Sequence, residues 1–90
     1  MDWEKELGCT MRDLRKAAGL TQQELAERLQ KARSHVVRIE AGQKNLLLAE
    51  FYDWLSATGI EGDLAVAIFE NLRSIRDTAV EPDQRDRKQD

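Results

Sequence analysis

Apolar residues recur along this chain at helical spacing, with no stretch of the alternation that marks a half-buried strand. Leu7, Met11, Leu14 and Ala18 fall at i, i+4, i+7 and i+11, one stripe of an amphipathic helix, and Gly19 follows as a stop. A first helix is therefore predicted over about 2–18. Thr21, with Glu24 three residues on, has the form of a capping box. It opens a second helix over 22–29 whose inner face is Leu25, Ala26 and Leu29. A third, over 33–41, turns Val36 and Ile39 inward and ends at Gly42. After a loop at 43–47, Leu48, Phe51, Trp54 and Leu55 mark a fourth helix over 48–57. Gly59 and Gly62 bracket the next turn, and Leu64, Ala67, Ile68, Leu72 and Ile75 mark a fifth helix over 63–77. From residue 78 the chain holds Pro82 and almost nothing apolar except Val80. Such a segment cannot offset its ordering entropy, so a disordered acidic and polar tail is expected over 78–90. The pattern predicts an all-α fold, with one five-helix domain over 1–77.

Ninety residues are enough for one domain with a modest core and no disulfide or metal to staple it. No apolar run approaches the ~20 residues that a membrane span requires. Trp3, Glu4, Lys5 and Glu6 interrupt any signal-peptide core. The lone Cys9 has no disulfide partner and no Cys or His neighbour at metal-ligand spacing, so its expected state is an inert thiol. These features predict a cytoplasmic setting with no membrane association, no metal and no cofactor. One His, one Cys and no clustered carboxylates assemble no catalytic site, so no enzyme is expected.

A net charge of −3 argues against a nucleic-acid partner until its distribution is considered. Residues 1–11 carry one Lys against three acids, and residues 45–90 carry five Lys/Arg against ten. Residues 12–44 carry eight Lys/Arg against four, so the positive charge is concentrated in the middle third. That third holds the two shortest helices. Two short helices separated by three or four residues form a unit whose second member fits the ~12 Å major groove of duplex DNA. Ala26 is small enough for the two to cross closely, and Val36 and Ile39 anchor the second from behind. Its outward face then carries Arg33, Ser34, His35, Val37 and Arg38. Arginine offers guanine a bidentate fork, serine reaches a base or a phosphate, and valine meets a thymine methyl or helps pack the helix.

The run Leu14-Arg15-Lys16-Ala17-Ala18-Gly19-Leu20-Thr21-Gln22-Gln23-Glu24-Leu25-Ala26-Glu27, followed by Arg38-Ile39-Glu40-Ala41-Gly42, resembles the lambda-repressor-like, Cro/C1-type (Xre) DNA-binding domains. The resemblance covers roughly 7–60. It implies a five-helix domain, usually dimeric, on near-palindromic operators. Its base-reading positions fall on Arg33, Ser34, Val37 and Arg38, and its phosphate-contacting positions on Gln22, Gln43, Lys44 and Asn45. His35 is assigned a plain polar contact to the backbone of the duplex. Arg15 and Glu40 match a pair that in relatives ties the first helix to the third. The chain departs from the pattern where Gln30 replaces the usual turn Gly, Lys31 an apolar residue, and Ala32 a capping Ser or Thr. A non-Gly residue at positive φ costs roughly 1 kcal/mol, and a lost cap about as much again. Thr58 replaces a Leu of the fourth helix.

Leu46, Leu47 and Leu48 exceed what one loop and helix start should bury, and Val66 and Phe69 stand off the stripe of the fifth helix. With Ile60 they predict a homodimer contact C-terminal to the helix-turn-helix. Trp3 and Trp54 are assigned to core or interface. The expected function is sequence-specific binding of double-stranded DNA by a dimeric transcriptional regulator, a repressor. The alternatives are the antitoxin of a toxin–antitoxin pair, its acidic end folded onto a basic toxin, and a protein-interaction module without DNA contact.

Overall fold

The computed structural model describes residues 2–79, and among them five helices and no strand: α1 (Trp3–Ala17), α2 (Gln22–Leu29), α3 (Arg33–Glu40), α4 (Leu48–Ala57) and α5 (Gly62–Ala79). The all-α expectation holds, with element ends within two residues of those predicted. Helix α5 runs to Ala79; the rest of the expected tail lies outside the described residues.

Helices α1, α2 and α4 each begin where a side chain accepts from backbone amides at their start. The Asp2 carboxylate accepts from the Glu4 and Lys5 amides at 3.1 and 3.3 Å and opens α1. Thr21 and Glu24 form the reciprocal capping box, at 3.0 Å from the Glu24 amide to the Thr21 hydroxyl and 2.9 Å from the Thr21 amide to the Glu24 carboxylate. At α4 the Leu47 amide donates to Glu50 Oε1 at 3.0 Å. Gly19, at φ +75, turns the chain out of α1 so that Leu20 returns its amide to Arg15.

The core gathers Leu7 and Met11 of α1, Leu20, Leu25 and Ala26 of α2 and its approach, Val36 and Ile39 of α3, Trp54 of α4 and Leu72 of α5. Trp54 is fully buried and donates its indole N–H to the Met11 carbonyl at 3.2 Å, which satisfies the one polar atom it brings inside. Trp3 is only partly buried against this cluster. Helices α1 and α3 cross at Gly8, where an added Cβ would meet the Ile39 carbonyl oxygen and lie 2.8 Å from that of Glu40. Only glycine allows that approach.

The expected inner face of α5 is altered only near its start. In α5 the inward residues are Ala65, Ile68, Leu72 and Ile75, while Leu64 and Ala67 are exposed. Ile68, Leu72 and Ile75 keep their expected place, and at the start of the helix Ala65 rather than Leu64 or Ala67 turns inward. Leu48, one of the three leucines expected in excess of what this region buries, is exposed on the first turn of α4. No described helix is long and apolar enough to cross a membrane.

Candidate nucleic-acid interface

The turn between α2 and α3 is made despite its unusual residues. Gln30 takes the left-handed conformation, φ 56 and ψ 42, and the Lys31 amide closes α2 onto the Ala26 carbonyl at 3.0 Å. Ala32 occupies the N-cap of α3 with no side-chain hydrogen bond. Both costs anticipated from the sequence are therefore present in the fold.

Helix α3 shows the molecule two faces. Val36, Ile39 and Glu40 are buried, and Arg33, Ser34, Val37 and Arg38 are exposed together on the opposite side. Gln43, Lys44 and Asn45 are exposed in the loop directly after it. Asn45 donates from Nδ2 to Glu4 Oε1 at 3.2 Å, which holds that loop against the start of α1.

Behind the exposed face runs a buried polar network. The Arg15 guanidinium grips Glu40 with two hydrogen bonds, Nε to Oε2 at 2.7 Å and Nη2 to Oε1 at 3.0 Å. Its remaining Nη1 donates to the Leu20 carbonyl at 2.8 Å. Both side chains are nearly inaccessible, and the Glu40 carboxylate raises the Arg15 pKa further above its ordinary value. Gln22 extends the network outward, donating from Nε2 to Glu40 Oε1 and accepting at Oε1 from Arg33 Nη2, each at 3.2 Å. An exposed arginine of α3 is thereby held from the core.

His35 lies apart from this arrangement. Its ring turns sideways toward the start of α4 and is largely covered, with Lys44 Nζ 3.1 Å from Nδ1 and Glu50 Oε2 3.5 Å from Nε2. Burial pushes the imidazole below its ordinary range, the Lys44 ammonium adds to that, and the Glu50 carboxylate opposes it. The hydrogen bond from the Leu47 amide holds the Glu50 carboxyl below its own ordinary range, with His35 contributing.

The structure thus brings Arg33, Ser34, Val37 and Arg38 onto one face, with Gln43, Lys44 and Asn45 beside it. It draws Gln22 half inward and turns His35 toward α4. Gly8 and Glu50 escaped the sequence reading. Gly8 shares a helix face with Met11 and Arg15, where a residue without a side chain marks a close crossing. Glu50, three residues after Leu47, is the acidic half of a capping box whose other half is not a hydroxyl.

A family model described as a helix-turn-helix domain matches residues 6–65. The chain belongs to that family. The match spans α1 to the beginning of α5, so it takes in the whole of the site described above. Among solved structures, the restriction-modification controller protein C.AhdI from Aeromonas hydrophila is similar at 37% identity and a TM-score of 0.61. The similarity covers 63% of this chain and 83% of that one. No curated protein matches the sequence.

Proposed function

We propose that this chain is a sequence-specific DNA-binding regulator of transcription that lays α3 in the major groove. The observation that carries the reading is that α3 is anchored along one face and exposed along the other. Val36, Ile39 and Glu40 fix it from behind, while Arg33, Ser34, Val37 and Arg38 are exposed on the other side. On this reading those four meet base edges. Gln22, at the positive end of α2, and Gln43, Lys44 and Asn45 meet phosphates and set the register. The likeness to a controller protein supports a regulatory role, and we read that role as repression of an operator bound by a homodimer in the cytoplasm. The hydrogen bond from Arg33 to Gln22 lowers the ordering cost of presenting it.

Selection from a random duplex library followed by titration of the winners tests this. The expected result is a near-palindromic site bound with an affinity that falls log-linearly with salt. Absence of salt-dependent binding to any duplex would reverse the reading.

A further inference from the structure

The proposed DNA contact of Lys44 leaves His35 without a phosphate of its own, because both ring nitrogens already face protein groups. We propose that His35 is a positioning residue: its neutral imidazole aims the Lys44 ammonium and ties it to the first turn of α4, so that its effect on DNA binding passes through Lys44. The inference rests on the reading of Lys44 as a phosphate contact.

The place of His35 on α3 explains why its ring is covered. It precedes the buried Ile39 by four residues, which puts it one turn away on nearly the same side of the helix. The side chains of His35 and Glu50 are 11% and 15% exposed, and a phosphate reaching Nδ1 would have to displace Lys44, one reaching Nε2 Glu50. Lysine has only donors to offer, so Nδ1 must present its lone pair to the ammonium 3.1 Å away. The ring proton then sits on Nε2 and points to the Glu50 carboxylate at 3.5 Å. Glu50 closes the chain with its other oxygen, which accepts the Leu47 amide at 3.0 Å. A line of contacts therefore runs from Lys44 in the loop, through α3, to the opening of α4.

The charges around the ring keep it in this form. Lys44 faces it from the loop, Lys31 from the turn and Arg38 from its own helix, with Glu50 opposing them from α4. Asp53 of α4 lines the small cleft beside it. Burial and the three cations outweigh the carboxylate, so the imidazole is neutral at pH 7. Protonated, it would have no lone pair for Lys44 and would set two cations against each other. A free lysine is a flexible point charge that loses rotamer freedom when it settles on a phosphate. Held by His35, it pays that cost on folding.

The DNA-free protein and a double-mutant cycle test the proposal together. His35 is the only histidine of the chain, so its nitrogens are read directly in long-range proton–nitrogen spectra. The Nε2–H tautomer is expected at neutral pH, and an Nδ1–H tautomer or an imidazolium overturns the hydrogen-bond chain. On a selected duplex, His35→Ala and Lys44→Ala should each weaken binding about fivefold, and the double variant little more than Lys44→Ala alone. His35→Gln, which offers an acceptor and a donor of its own, should stay within about twofold of the unsubstituted protein. Losses that multiply to about 25-fold in the double variant mean that His35 touches DNA independently, which overturns the positioning role. Should His35→Ala unfold, an equal loss in a folded His35→Gln does the same. If the unsubstituted protein binds no duplex, the reading of Lys44 fails and takes the positioning role with it, while the tautomer still judges the hydrogen-bond chain by itself.

Discussion

At the scale of single residues, the Arg15–Glu40 pair shows how the fold and the site share atoms. A buried ion pair gives little net stability, because taking two charges out of water offsets most of their attraction. Removing one partner is another matter, since the other is left charged and unpaired. Glu40→Leu strips Arg15 of two hydrogen bonds and Gln22 of its acceptor, and should cost about 3–5 kcal/mol in denaturant unfolding. A loss under about 1 kcal/mol would mean that the pair is dispensable to the architecture. The pair was legible in the sequence only through the family resemblance. Composition cannot show that an Arg and a Glu 25 residues apart are both buried. The burial of His35 had a local signal in its spacing from Ile39, but that signal is ambiguous at the edge of a helix where covered and exposed faces meet.

At the scale of elements, the turn from α2 to α3 carries two removable costs. Gln30 holds a left-handed backbone that glycine adopts without penalty, and Ala32 caps nothing. Gln30→Gly should therefore recover up to roughly 1 kcal/mol, and Ala32→Ser or Ala32→Thr about 0.5–1 kcal/mol, in thermal unfolding. The two changes sit beside each other, so their sum need not be additive. Destabilisation by Gln30→Gly would show that the side chain contributes more than the backbone costs. Helix ends were the most readable feature of the chain, because Thr21, Glu24, Gly19 and Gly42 announce them chemically. The start of α5 was less so, because Leu64 and Ala65 both stand at helical spacing from Ile68, and only packing picks between them.

At the scale of the whole molecule, apolar surface is left exposed on α4, on the loop before it and on α5. Leu47, Leu48, Tyr52, Leu64, Val66 and Phe69 are all exposed, and Leu48, Phe51, Phe69 and Leu72 share a cleft of about 370 Å³ between α1, α4 and α5. We read this surface as the contact between two copies, as the sequence suggested for Leu46, Leu47, Val66 and Phe69. Light scattering at micromolar concentration should give a dimer, and Phe69→Glu should shift it to monomer without unfolding it, since Phe69 is half exposed. A monomeric unsubstituted protein ends the dimer reading. Symmetry matters to the function because one eight-residue helix reads only a few base pairs, too few to single out a site. Two copies of α3 would ask for half-sites about one helical turn apart.

On the proposed function, α3 and the loop that follows it divide the labour of DNA binding. Arg38 stands on the exposed face of α3, and Lys44 stands in the loop beside it. The most direct measurement compares Arg38→Ala and Lys44→Ala on a selected duplex and on a scrambled one across a series of salt concentrations. Arg38→Ala should lose about 1–3 kcal/mol on the selected duplex alone and relax the preference at one position of each half-site. Lys44→Ala should weaken both duplexes alike and flatten the salt slope by about one unit. Equal losses on both duplexes for both variants would show that α3 and the loop have no separate roles.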